Sequence, residues 1–393
     1  MVATAVALVA SLPAAFAGNG NGKGKPGGGG EDPPTPAASI EYELTWLAGF
    51  GGDDTFVYDV NSAGIAVGRS EDANGTFKGF VATAAAGMVD FDNWLQLPAG
   101  WTSRVLALNE SNLACGYIKR PEFSDNVTFL VDLADSTSLE LLHSFPAAPT
   151  LGMRINENGD FSFRVDGVNY LYVRASDQLF SLDGIADLQR PHAINEQLQL
   201  ALPSNDDRHN RPGAHAFRYS FDSTTETGFL EDLQADLKGN ALTFAFDITN
   251  EGTVYGSFLR KGGLTKAGYV ENGSTVWNAL EAVDSRGDAC AHGANESGQI
   301  IGANDAEYPY GGGSDLWILD PVEGFFSLDE LITGDPAEVL FFQTMEGFHR
   351  PVISEAESAT GYGVIAGYGY EVDTTPGTTP KLGFILTPRP VQP

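Results

Sequence analysis

Apolar residues alternate with polar ones in short runs along most of the chain, and the runs come in pairs around turns that contain Asn and Gly. The clearest pair reads Val57-Tyr58-Asp59-Val60-Asn61-Ser62-Ala63-Gly64-Ile65-Ala66-Val67-Gly68. Alternation with a period of two marks strands, and an Asn-to-Gly turn between two of them marks a hairpin, because Asn bonds nearby backbone and Gly accepts positive φ. The same unit recurs at Asn109, Asn156, Asn195, Thr249 and Asn295, with a weaker seventh copy at Thr360-Gly361. Before the turn, Val60, Leu108, Ile155, Ile194 and Ile248 share one phase; Tyr58, Leu106, Met153, His192, Phe246 and His292 occupy the next site of that face.

A second motif follows each hairpin: a strand centred on Phe80, Phe129, Leu171, Phe217, Tyr269, Trp317 or Phe384. Most are followed by a fourth apolar stretch, so each unit holds four strands. Successive turns lie 39 to 65 residues apart, the spacing of four-stranded propeller blades. The expected fold is therefore all-β, a seven-bladed β-propeller; six blades or an open β repeat array are the alternatives. The seventh unit lacks a fourth strand after Phe384, while Ile40 to Leu47 is a strand without a partner of its own. Pairing the two closes the ring and protects both edges.

Ahead of the repeats, residues 2–17 are apolar and end Ala15-Phe16-Ala17, the form of a signal-peptide cleavage site. The reading is a signal peptide at 1–17, a Gly- and Pro-rich linker at 18–39, the repeat domain at 40–388 and a tail at 389–393. Export follows, to the extracellular space, the cell surface or the periplasm, with no membrane span. Cys115 and Cys290 fall in the second and sixth units, too far apart around a ring to pair, and are expected as free, buried thiols.

Composition narrows the function. With 52 acids against 22 bases the net charge is −30, which repels nucleic acid and anionic membranes. The 47 glycines, 24 phenylalanines and 13 tyrosines fit many strands and tight turns.

The opening Tyr42-Glu43-Leu44-Thr45-Trp46-Leu47-Ala48-Gly49-Phe50-Gly51-Gly52, the Asp59-Val60-Asn61 and Asp247-Ile248-Thr249-Asn250 hairpins, and the triplet His215-Ala216-Phe217 resemble the HAF-repeat family of bacterial extracellular proteins. Variants of the triplet stand at Lys78-Gly79-Phe80, Ala267-Gly268-Tyr269 and Asp315-Leu316-Trp317, and the resemblance spans residues 42–387. It implies export and a repetitive β architecture, and no particular reaction.

Candidate chemistry gathers where chains enter the innermost strands and where the second strand of a blade joins the third. Those loops carry Glu71, Asp72, Glu122, Asp125, Asp166, Asp206, Asp207, Asp305, Glu307, Glu371 and Asp373. Asp206-Asp207-Arg208-His209-Asn210-Arg211 is the most polar cluster, suited to an anionic sugar or a metal. Asp206, Asp207 and Asp305 are the candidate cation ligands; no cofactor is expected, calcium being the one ion these oxygens would suit. Arg104, Arg154, Arg190 and Arg350 lie near the starts of inner strands. Pairing of each with a neighbouring Asp or Glu is the favoured reading, and convergence on the channel mouth to bind carboxylate or sulfate the alternative. Tyr308, Tyr310, Tyr368 and Tyr370 are expected to pack against their own loops, and Gly311 to Gly313 to form a flexible loop. No nucleophile elbow, phosphate loop or zinc motif appears. The expected function is a monomeric, non-enzymatic propeller that binds an extracellular glycan, a cation or an envelope protein; the alternative is a polysaccharide-degrading enzyme with carboxylates at the channel mouth.

Overall fold

In a computed structural model the described residues are 39–150, 152–182, 190–203, 215–234, 242–259, 265–283, 288–304, 312–313, 315–335, 348–355, 358, 360–369 and 380–391. The expected leader and nearly all of the linker lie outside them.

Seven antiparallel sheets succeed one another along the chain. Blade 1 is Gly51–Val60, Ala66–Asp72, Phe77–Thr83 and Gly87–Asp90; blade 2 is Thr102–Leu108, Leu113–Arg120, Asp125–Asp132 and Glu140–Phe145. Blade 3 is Arg154–Ile155, Phe161–Val165, Val168–Val173 and Gln178–Ser181; blade 4 is Ala193–Ile194, Gln199–Pro203, Ala216–Asp222 and Thr227–Asp232. Blade 5 is Leu242–Ile248, Val254–Leu259, Thr265–Val270 and Asn278–Ala279; blade 6 is Ala289–Ala294, Ile300–Asn304, Asp315–Asp320 and Gly324–Ser327. The first strand of each blade touches the first strand of the next, and that of the seventh returns to the first, which makes the molecule a seven-bladed propeller.

Blade 7 combines Phe348–Ile353, Ile365–Gly369 and Leu382–Pro390 with the N-terminal strand Ile40–Leu47. The N-terminal strand lies antiparallel to the last one from Ile40↔Pro390 to Leu47↔Gly383, with Trp46 opposite Phe384. The ring thus closes by the expected pairing. Two short additions extend this sheet: Ile332–Thr333 runs parallel to Tyr42 and Glu43, and Gly312–Gly313 pairs with Phe348 and His349. The segment expected as a flexible glycine loop is therefore, at Gly312 and Gly313, a strand held by the innermost strand of blade 7.

The third strands supply the core between blades. Phe80, Phe129, Leu171, Trp317 and Phe384 are fully buried. Their rings need space on the second strand: a Cβ on Gly302 would lie 2.1 Å from the Trp317 ring and 2.2 Å from the Cys290 carbonyl. Both cysteines are free and buried, and burial pushes the Cys290 thiol up to about 11.

A β-bulge interrupts the inner strands at Tyr58, Leu106, Phe246 and His292, between Val57/Asp59, Val105/Ala107, Ala245/Asp247 and Ala291/Gly293. The bulge breaks the period of two. Val60 and Tyr58, expected on one face, accordingly pack into different clusters, Val60 with Phe80 and Tyr58 with Leu106 and Met153.

The turns after the inner strands also join the blades. In the five turns that open on Asn, its Oδ1 accepts the N–H four residues on, as in Asn61 to Ile65, Asn109 to Leu113 and Asn156 to Asp160. Its Nδ2 reaches the next blade: Asn109 donates to the Asn156 carbonyl (3.0 Å), Asn156 to that of Asn195 (3.1 Å) and Asn195 to that of Thr249 (2.9 Å). The following residue adds a second ring of bonds. The N–H of Ser62 donates to Glu110, of Glu110 to Glu157, of Glu157 to Glu196, of Glu196 to Asn250 Oδ1, of Asn250 to Glu296, and of Glu296 to the Glu355 carbonyl. The recurrent Asn-Glu pair is thus a blade-to-blade stitch.

These bonds relocate the seventh turn. Ser354 receives the Val364 N–H on its hydroxyl and donates its own N–H to the Val364 carbonyl, so Ser354, not Thr360, stands in the Asn position. Ten residues rather than four separate the partners, and Ser358 to Gly361 forms a smaller turn within the insertion.

Candidate functional site

The inner strands enclose a channel whose two ends differ. At the Asn-turn end lies a cavity of about 80 Å³, bordered by Asp59, Arg154, His192, Asp247, His292 and Glu355. That volume holds a few waters, well short of the several hundred cubic ångströms of a sugar-sized pocket.

Asp59 and Asp247 hold equivalent places two residues before the turn in blades 1 and 5. Asp59 accepts the N–H of Val60 and that of Leu108 in blade 2, both at 3.0 Å. Asp247 accepts the N–H of Ile248 (2.9 Å) and that of Ala294 in blade 6 (2.7 Å). Each is a carboxylate staple between blades. Burial raises both to about 6 in spite of these bonds and of the charge on Arg154; Glu110 adds to the rise at Asp59, and Glu296 to that at Asp247. Burial and then the charges of Glu157, Asp247, Asp59 and Glu110 carry Glu355 well above the usual carboxylate range.

A pH dependence follows. A carboxyl whose folded pKa exceeds its unfolded value near 3.8 binds protons more tightly when folded, so stability falls as pH rises from about 4 to 6 and stays at its lower level above. Two units correspond to about 3 kcal/mol for each group. The thermal midpoint should therefore rise when pH drops from 7.5 to 5, and Asp59→Asn with Asp247→Asn should flatten much of that slope. An unchanged slope in the double variant would show that these staples do not titrate in this range.

The other end of the channel is cationic. Arg104, near the start of the blade 2 inner strand, donates to the carbonyls of Phe77 and Ser103. Arg154 stands nearer the Asn-turn end, where it borders the cavity of Asp59 and Asp247, and donates to the carbonyls of His192 (2.6 Å) and Met153 (2.9 Å). Arg190, just before blade 4, lies across Gly152, where a Cβ would come within 2.4 Å of its Cδ. It makes no hydrogen bond or ion pair among the described residues. Burial lowers Arg104 and Arg190 from the usual guanidinium range, and repulsion from Arg69 and from Arg154 respectively lowers them further. Tyr58 feels both Arg69 and Arg104, and Arg190 feels Tyr58 and Tyr368, so the group shares one part of the channel.

The expected pairing of these arginines with acids does not occur: among the described residues no carboxylate lies within 4.0 Å of Arg104, Arg154 or Arg190. Elsewhere arginine finds one. Arg120 pairs with Asp125, and Arg218, 2 % exposed, pairs with Glu231 and reaches the carbonyls of Gly252, Glu271 and Ser274. Aromatic rings flank the channel cations instead. Arg69 lies 4.6 Å from the Phe56 centroid and 4.3 Å from that of Phe77, and Lys381, which pairs with Asp54, covers the same Phe56 ring at 5.4 Å. The Nε atoms of Arg69 and Arg104 are buried without an acceptor. Tyr368 packs edge-on against Phe56 of blade 1 at 4.9 Å.

Of the acidic loop residues that are described, Asp125 pairs with Arg120, Glu122 accepts from the Trp101 indole, and the others bond or shape nearby backbone. Asp72 accepts from Asn74 and Thr76, Glu71 from Asp53, and Asp166 adopts φ 48°. Asp206, Asp207, Arg208, His209, Arg211, Asp305, Glu307, Tyr308, Tyr310, Tyr370, Glu371 and Asp373 lie outside the described residues, as does the side chain of Arg350. Among the described residues no three of His, Cys, Asp and Glu are grouped to hold a metal, and no helix is long and apolar enough to cross a membrane. Sequence reasoning missed the Asp staples, although the Asp-Val-Asn and Asp-Ile-Thr offsets signalled them, and it missed Arg69 within its aromatic sandwich.

No family model matches the chain, and no curated protein does. Solved structures similar to it include the β-propeller domain of the Trilobed protease from Pyrococcus furiosus, 9 % identical over 86 % of this chain and 97 % of that one, with a TM-score of 0.46. An oligogalacturonate lyase from Vibrio parahaemolyticus is 8 % identical over 88 % of this chain and 97 % of that one, TM-score 0.46. The WD40 domain of Toxoplasma gondii coronin is 9 % identical over 88 % of this chain and 84 % of that one, TM-score 0.45.

Proposed function

We propose that the protein is an exported binding propeller that takes a carboxylate or sulfate group of an extracellular glycan into the arginine-lined end of its channel. The observation that carries this reading is that, among the described residues, no carboxylate lies within ion-pair distance of Arg104, Arg154 or Arg190, in a chain where acids outnumber bases 52 to 22. Buried, mutually repelling guanidinium groups keep unused N–H donors, and a planar anion satisfies them two at a time. The net charge of −30 works against a long polyanion, so the ligand in this reading presents one or a few acidic groups on an otherwise neutral chain.

Titration calorimetry with a singly acidic oligosaccharide, for instance one bearing a terminal uronate, is the test. The wild type should bind it and ignore the uncharged counterpart, and Arg190→Gln should weaken binding by roughly 10- to 100-fold, the range for a lost charged hydrogen bond. Gly152→Ala, which displaces the Arg190 stem, should weaken it in the same direction. Equal affinity in wild type and Arg190→Gln would overturn the proposal.

A further inference from the structure

We infer that Trp101 and Phe123, at the edge of blade 2, form a stacking subsite for a neutral sugar ring of the same glycan; the inference rests on the channel reading above. Phe123 occupies the loop between the second and third strands of its blade, and 62 % of its surface is exposed. Its position is nevertheless fixed. The Phe123 N–H donates to the Arg120 carbonyl, that of Ser124 to the Pro121 carbonyl, and Ser124 takes φ 53° to close the turn.

The ring itself rests on polar support. Arg120 lies 4.9 Å from the Phe123 centroid and 5.6 Å from that of Trp101, within cation–π range of both. Asp125 fixes that guanidinium through two oxygens, its Oδ1 at 2.9 Å from Nε and its Oδ2 bound by Nη2. The Trp101 ring stands nearly perpendicular to Phe123, with centroids 6.5 Å apart. Its indole N–H donates to Glu122, and its body packs against the core cluster of Phe91, Ile118 and Phe129.

Such an arrangement presents one exposed ring, Phe123, beside the half-buried Trp101, both fixed inside a frame of charge. A protein partner large enough to bind stably would need hundreds of square ångströms of contact per side, far beyond two rings. A pyranose fits better, since its C–H face is apolar while its hydroxyls, in the ring plane, meet the donors of Arg120 and the acceptors of Glu122. Continuity favours the same ligand: Trp101 is three residues before Arg104 and leads into the same inner strand. A glycan with its acidic group in the channel would pass over blade 2 at this point.

The experiment compares saccharides of one, two and four residues, each with a single terminal uronate, together with a neutral tetrasaccharide and a proline-rich peptide, against wild type, Phe123→Ala and Arg190→Gln. Phe123 is a loop side chain outside the core clusters, and near-ultraviolet circular dichroism checks that the variant keeps its fold. Affinity of the wild type should rise with length; Phe123→Ala should erase roughly fivefold to tenfold of that rise and leave the monosaccharide unchanged, the scale of one aromatic contact. Arg190→Gln should weaken all three lengths alike. If Phe123→Ala matches wild type at every length while Arg190→Gln loses binding, the subsite is wrong and the channel reading stands. If wild type binds no acidic sugar but binds the neutral tetrasaccharide in a Phe123-dependent way, the channel reading falls and the platform survives as a site for neutral glycan. Binding of neither overturns both, and capture of a proline-rich peptide without sugar binding replaces the glycan by a protein ligand.

Discussion

A chain that begins at Ala48 should lose the cooperative unfolding of the propeller and associate through its last blade. The missing strand supplies four buried side chains, Ile40, Tyr42, Leu44 and Leu47, each at most 6 % exposed. Each contributes roughly 1.5–3 kcal/mol by leaving water, so together they are comparable to the 5–15 kcal/mol that holds a typical domain folded. The Tyr42 hydroxyl also donates to the Gly363 carbonyl, which ties the strand to the turn region of blade 7. Removal further exposes the whole edge of Leu382–Pro390, a row of unpaired backbone groups that invites another copy. Thermal melts should show a broad transition at lower temperature, hydrogen exchange at residues 382–390 should become fast, and size-exclusion chromatography should show oligomers. A peptide spanning residues 39–50, added in trans, should restore part of the protection. A monomeric truncated chain melting like the full one would show that the closure adds little.

That closure is legible in the sequence because it rests on two countable facts, the lack of a fourth strand between Phe384 and Pro393 and a spare strand at Ile40. The blades were visible for a similar reason, since strand period and turn chemistry are local. What reaches across blades was not. Asn156 reads as a turn residue, whereas its second partner, Asn195, is 39 residues away. The seventh turn was misplaced at Thr360 because the insertion after Glu355 brought its own Ser358-to-Gly361 turn, which imitates the repeat. Asp59 and Asp247 share an offset from the turn, yet an offset alone does not distinguish a staple from a solvated acid. The channel arginines were legible as positions. Their lack of carboxylate partners was not, because pairing depends on which side chains the ring brings together, and in so acidic a chain pairing is the reasonable expectation.

Replacement of Asn156 by Ala should destabilise the protein by about 2–4 kcal/mol, while Thr249→Ala, at the equivalent position of blade 5, should cost less than about 1 kcal/mol. Asn156 is 1 % exposed and uses both ends of its amide. Its Oδ1 accepts the Asp160 N–H at 2.9 Å, and its Nδ2 donates to Asp160 Oδ2 and to the Asn195 carbonyl, both at 3.1 Å. Alanine strands an Asp160 N–H and a carboxylate oxygen away from water and cuts the bond to blade 4, and an unpaired buried polar group costs more than a paired one contributes. Blade 5 shows the other limit. Thr249 enters the ring through its carbonyl, which receives Asn195 Nδ2 whatever the side chain, and the neighbouring Asn250 accepts the Glu196 N–H with its Oδ1. The stitch is therefore held at blade 5 without an Asn at the first turn position. Urea unfolding of the two variants reads the difference as a shift in midpoint at constant slope. Equal midpoints for Asn156→Ala and wild type would mean that the turn ring follows from blade packing rather than reinforcing it.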